Sequence, residues 1–83
     1  ENMPCTEITE ADLIDGSMDI MTALVKTGLC ASKSDARRNV QQGGVSADDA
    51  KVTDIAKAFT ADELKNGIVL KRGKKSFNKI ILK

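Results

Sequence analysis

The chain has 83 residues, with 13 Lys and Arg against 12 Asp and Glu and a formal net charge of +1. It is long enough for one small domain, and with Phe59 and Phe77 as its two aromatics the core must come from Leu, Ile, Val, Met and Ala. The absence of histidine excludes His-based acid–base and nucleophilic catalysis and most zinc sites, and no apolar run approaches the ~18–20 residues of a membrane span.

Residues 1–8 are polar, contain the only proline (Pro4) and show no periodicity, so they read as a linker. The domain proper is expected over residues 9–83. Thr9 with Asp12 can cap a short helical turn that ends at Gly16. A helix is predicted from about Met18 to Thr27, capped by Ser17, with Ile20, Met21, Leu24 and Val25 as its apolar stripe and Gly28 closing it. A second, short helix is predicted from Lys33 to Gln42, opened by Ser32 with Asp35 three residues on. Ala36 and Val40 lie on its buried side. Ser34, Arg38 and Gln41 fall opposite, with Lys33 and Arg37 on the flank.

Gly43-Gly44 stops that helix, and Val45 to Ala47 begins an extended segment. The segment turns at Asp48-Asp49 and returns through Lys51-Val52 as a hairpin. Ile55 to Phe59 is ambiguous. Thr60-Ala61-Asp62-Glu63 is a capping box opening a helix from Ala61 to Asn66, closed by Gly67. Two strands follow, Ile68-Val69-Leu70 and Ser76 to Leu82, joined by the basic turn Lys71-Arg72-Gly73-Lys74-Lys75. Phe77 and Ile80 do not alternate cleanly with Ile81 and Leu82, which predicts a bulge or a change of face.

The near-neutral total conceals an asymmetry. Residues 1–20 carry Glu1, Glu7, Glu10, Asp12, Asp15 and Asp19 with no base, whereas Lys65, Lys71, Arg72, Lys74, Lys75, Lys79 and Lys83 follow residue 64 with no acid. Such a division points to a polyanion-binding surface. Paired arginines on a capped helix can grip phosphates bidentately, and Gln41 and Gln42 can reach 2′-hydroxyls or base edges. A Gly-Gly bend lets a phosphate approach backbone N–H groups closely. The expected function is therefore RNA binding, with no catalytic residues, no metal site and no cofactor in this domain. Gly67 and Gly73-Lys74 fail as a phosphate loop, because five residues separate the glycines and a strand follows. Asp48-Asp49 read as solvated carboxylates rather than a cation site. Cys5 and Cys30 lack metal-ligand spacing and read as thiols in a reducing cytosol, which with no signal-peptide pattern places the protein in the cytoplasm without a membrane partner. The start at Glu1 reads as a piece of a longer protein.

The stretch Leu29-Cys30-Ala31-Ser32-Lys33-Ser34-Asp35-Ala36-Arg37-Arg38-Asn39-Val40-Gln41-Gln42-Gly43-Gly44-Val45 resembles the S-four-type RNA-binding domain, the alpha-L motif. Within that superfamily, the preceding helix and the ending Leu70-Lys71-Arg72-Gly73-Lys74-Lys75-Ser76-Phe77 resemble the C-terminal domain of the bacterial-type tyrosyl-tRNA synthetases. The resemblance covers about residues 8–83. It implies an α+β fold, a small alpha-L domain with helices packed on one side of a small, mostly antiparallel, twisted sheet. It also implies that the RNA is tyrosine tRNA, held on its variable-arm and anticodon-stem side. Aminoacylation would then belong to a catalytic domain of the same parent chain, with ATP and Mg there, in a parent that is a homodimer.

Carried over by position, the RNA-facing residues are Lys33, Ser34, Arg37, Arg38, Gln41 and Gln42, with Lys71, Arg72, Lys74 and Lys75 from the terminal hairpin. Gly43, Gly44 and Gly73 would allow close backbone approach. The helix and the basic turn are expected to share one positive concavity. Two readings remain beside this one, a ribosomal-RNA-binding domain of a ribosome-associated factor and a protein-interaction module using the acidic N-terminal third. Where the family often has an aromatic and an Asn-Gly turn, Ser46 and Asp48-Asp49 stand here, and carboxylates at that tip would repel phosphate. With so few aromatics, recognition by shape and backbone is expected in place of base stacking.

Overall fold

The computed structural model describes residues 4–73 and 75–83. In chain order the elements are β1 (Cys5–Ile8), a 3-10 turn (Glu10–Asp12), β2 (Ser17–Asp19), α1 (Ile20–Lys26), α2 (Lys33–Gln41), β3 (Val45–Ala47) and β4 (Ala50–Lys51). There follow β5 (Ala58–Thr60), α3 (Ala61–Asn66), β6 (Ile68–Arg72) and β7 (Ser76–Leu82). Five strands form one sheet in the order β1-β7-β6-β3-β4, and β2 and β5 form a separate antiparallel pair. Only β1 and β7 run parallel in the larger sheet, so the α+β class and the mostly antiparallel sheet are as expected.

Register fixes which side chains share a face, because directly paired residues point the same way. On the inner face, Val45, Arg72 and Ser76 form one row, Ala47, Leu70 and Asn78 the next, and Ile68, Ile80 and Thr6 the third. This face buries Val45, Leu70, Ile68, Ile80, Leu82 and Ile8 against Ile20, Ala23 and Leu24 of α1, Ala36 and Val40 of α2, and Leu64 of α3. Each fully buried Leu or Ile contributes roughly 1.5–3 kcal/mol, so this single cluster carries the stability of the domain.

Three sequence expectations are corrected. Residues 1–8 are not all linker: Cys5–Ile8 pair with Lys79–Leu82, with Ile8 buried and Lys79 N–H donating to Pro4 O at 2.8 Å. That strand pairs with the far end of the chain, so no local periodicity announces it. Ser17 does not cap α1, because Ser17–Asp19 pairs with β5. The cap is Asp19, whose carboxylate accepts from Thr22 N–H at 3.2 Å, and the ambiguous segment after Ile55 supplies the partner strand.

The third correction concerns β7, which has no bulge: its register with β6 is unbroken from Arg72↔Ser76 to Ile68↔Ile80. Its inward positions are Asn78, Ile80 and Leu82, and the polar Asn78 hides the alternation. Asn78 is satisfied inside, its Nδ2 donating to Thr27 O and its Oδ1 accepting from Thr6 Oγ1, both at 3.1 Å. It thereby links the end of α1 to both strands of the parallel seam.

Candidate nucleic-acid interface

The Ser32 hydroxyl accepts from Asp35 N–H at 3.2 Å and opens α2 as the sequence predicted. With Ala36 and Val40 fully buried, the helix holds Lys33, Ser34, Arg37, Arg38, Gln41 and Gln42 in solvent. Arg38 pairs with Asp35 one turn back at 3.2 Å, yet its side chain remains 67% exposed. A pair so open to water is worth little and leaves the guanidinium available. The helix ends with Gly43 N–H on Val40 O and Gly44 N–H on Asn39 O, at 3.0 and 2.9 Å. Such a close needs a left-handed residue, and Gly43 supplies it at φ +76°.

One hydrogen bond joins this helix end to the basic hairpin: Gly73 N–H donates to Gly44 O at 2.7 Å. Together with the pairing of Val45 with Arg72, it sets the turn between β6 and β7 directly beside the C-terminus of α2. The two basic elements therefore lie side by side. Lys75 is exposed at the turn, and Lys74 lies outside the described residues.

Adjacent residues on a strand face opposite ways, and this splits Lys71 from Arg72. Arg72 takes the inner face, where its charge reaches the thiol of Cys30 and its Nε is buried without a hydrogen-bond partner among the described residues. Burial and the Asp35 carboxylate raise the Cys30 pKa, and Arg72 opposes them. Lys71 takes the outer face, in one row with Phe77, Ser46 and Lys51, and its ammonium lies 3.8 Å from Asp49. Of the sequence-assigned set, Arg37, Arg38, Gln41, Gln42, Gly43, Gly44, Arg72, Gly73 and Lys75 thus gather around the C-terminal half of α2 and the hairpin. Lys33 and Ser34 stand at the other end of that helix, where the charge of Lys33 acts on Asp19, and Lys71 lies round the sheet.

The acidic turn has a structural task. Asp48 and Asp49 both hold positive φ, at 50° and 70°, which a two-residue hairpin turn demands and which Asp tolerates better than most residues. Asp48 exchanges two bonds with Val69, N–H to carbonyl at 2.8 Å and carboxylate from N–H at 3.0 Å, and so prolongs the β3–β6 ladder. No cluster of potential metal ligands is found among the described residues, and none of their helices is long and apolar enough to cross a membrane. Fixed cations suit this surface to holding an anion, whereas the N–H groups of Gly43, Gly44 and Gly73 are all bonded within the chain and do not offer the phosphate donors that the sequence suggested.

Residues 1–80 match the family described as the tyrosine–tRNA ligase SYY-like C-terminal domain. The chain belongs to that family. It is 46% identical over 82 residues to the tyrosine–tRNA ligase of Clostridium tetani, covering 98% of the chain and 19% of that protein. The ligase of Lachnoclostridium phytofermentans is 40% identical over 80 residues, covering 94% of the chain and 19% of that protein. That of Acetivibrio thermocellus is 37% identical over 83 residues, covering 99% and 20%. The chain therefore spans about a fifth of the length of these ligases.

Sequence reasoning missed two residues of this ligase C-terminal domain, one at the helix end and one on the outer face of the sheet beside Lys71. Lys51 lays its side chain across Gly43, near enough that a Cβ there would sit 3.6 Å from the ammonium nitrogen. It thus adds a cation at the helix end. Its place in the hairpin, opposite Ser46, was the available signal. Phe77 is 38% exposed, although an aromatic in a strand reads as core.

Proposed function

We propose that the chain is the tRNA-binding part of a tyrosine–tRNA ligase, holding tyrosine tRNA on its variable-arm and anticodon-stem side while a catalytic part outside these 83 residues aminoacylates it. Family membership supports the ligase setting. The observation that carries the binding reading is the Gly73–Gly44 hydrogen bond, which seats the basic turn against the arginine-bearing helix. Lys33, Arg37, Arg38, Lys51, Arg72 and Lys75 supply the cations, and Ser34, Gln41 and Gln42 supply neutral hydrogen-bonding groups beside them. Gly43, Gly44 and Gly73 donate their N–H groups to Val40 O, Asn39 O and Gly44 O, so their contribution is the lack of side chains that would hold a phosphate away. The name shared by the relatives favours tRNA over ribosomal RNA as the partner.

Arg38→Glu tests the assignment. The side chain is mostly in solvent, so the fold should survive, while tRNA affinity should fall at least about tenfold from lost attraction and added repulsion. Equal affinity of variant and wild type in a filter-binding titration would remove α2 from the binding surface.

A further inference from the structure

The outer face of the five-stranded sheet carries a row of which the helix-centred reading uses only Lys51, at its edge. Lys51, Ser46, Lys71 and Phe77 lie directly opposite one another across β4, β3, β6 and β7. Neighbouring strands are about 4.8 Å apart, so the row is roughly 14 Å long. It starts close to the helix end, because Ser46 and Lys71 are each two positions from the bonded pair Gly44 and Gly73. Next to it lie Val69, Lys79 and Cys5, none of them fully buried.

Phe77 is 38% exposed on this face, and Ile14 is the only other large hydrophobic side chain so open among the described residues. Register holds the ring between Lys71 on β6 and the β1 side of the sheet, so it is presented from a rigid strand rather than a loop. The charge around it suits a polyanion. Glu7 is paired with Lys83 at 3.4 Å, Asp49 lies against Lys71, and Lys51 has no carboxylate within ion-pair distance among the described residues. A flat apolar ring flanked by lysines is the arrangement by which proteins hold single-stranded nucleic acid, the base stacking on the ring and the phosphates meeting the cations.

We propose that Phe77 is a stacking platform for an unpaired base of the bound RNA, with Lys71 and Lys51 holding the phosphates of the strand that crosses the row. This rests on the RNA-binding function proposed above and adds to it a single-stranded component read on the opposite face of the sheet from α2. It replaces the expectation that recognition proceeds by shape and backbone alone.

The test uses two RNAs, a stem with an unpaired 3′ segment and the same stem blunt-ended, each titrated with wild type, Phe77→Leu and Phe77→Tyr. Phe77→Leu should weaken binding to the segment-bearing RNA at least about fivefold, the lower end for one base on an aromatic ring. Blunt-stem affinity and the salt slope should stay unchanged, and Phe77→Tyr should bind as wild type does. A fluorescent purine analogue in the unpaired segment should be quenched by wild type, a readout that needs no variant. Unchanged fluorescence, or equal losses for the two RNAs, would overturn the platform and leave the helix-centred surface standing. Wild type that binds neither RNA would overturn both.

Discussion

Lys51→Gln is the substitution that most directly tests the assembled surface, because this residue joins it only through the fold. The cations along α2, at its end and on the hairpin are Lys33, Arg37, Arg38, Lys51, Arg72 and Lys75. At roughly 0.7–0.9 counterions released per contact, six contacts give a logarithmic salt slope of about −4 to −5. Removing one should flatten the slope by about 0.7–0.9. The advantage of wild type over the variant should then shrink about threefold between about 50 and 200 mM salt. Lys51 is exposed on an edge strand, so the substitution should move stability by less than about 0.5 kcal/mol. Filter binding of tyrosine tRNA across that salt range is the assay, with Lys65→Gln as control because α3 lies at the far end of β6 from the hairpin. An unchanged slope for Lys51→Gln, or an equal change for Lys65→Gln, would refute the reasoning that places Lys51 among the phosphate contacts.

Other expectations concern the frame that holds the surface. Gly43→Ala should cost about 1–2 kcal/mol, since φ is +76° there, and lower the melting temperature by roughly 4–16 °C; Gly44→Ala, without a positive φ, should cost less. Asn78→Ala should cost about 1–3 kcal/mol by leaving Thr27 O without its donor, measured by urea unfolding. Acid should also destabilise the fold. Hydrogen bonds from Thr9 N–H and Lys26 lower the Asp12 pKa, and Thr60 N–H lowers that of Glu63. Burial works to raise Asp19, but bonds from Thr22 outweigh it and its pKa is lowered as well. Folded-state values below the unfolded ones mean stability that is fully present above the ordinary values of 3.8 and 4.5 and is lost as pH falls through the lower folded values. A urea midpoint that stays flat from pH 6 to pH 2.5 would contradict this.

Local signals carried much of the architecture. Ser32 and Asp35 mark α2, Thr60 and Glu63 mark α3, and Gly43, Gly67 and Gly73 mark stops and a turn, because caps and left-handed positions are decided within a few residues of chain. Side-chain direction was harder to read. Lys71 and Arg72 are neighbours in sequence and look like one patch, yet strand alternation sends them to opposite faces. Asn78 occupies a core position through two long-range hydrogen bonds, and this hid both the alternation of β7 and the outward placement of Phe77. Lys51 reaches the site only because β4 folds back beside β3. Each of these depends on pairings that composition does not encode.

The parallel seam between β1 and β7 has a consequence for assembly and for load. Thr6 and Asn78, 72 positions apart, touch across it, so the first strand has nothing to pair with until the last has been made. Closing so wide a loop is entropically costly and slow, which makes docking of the entry strand a late event after synthesis. Once shut, parallel strands drawn apart from their outer ends slide lengthwise and must break several hydrogen bonds at the same moment. The fold thus carries between its first and last strands a joint that resists being peeled open.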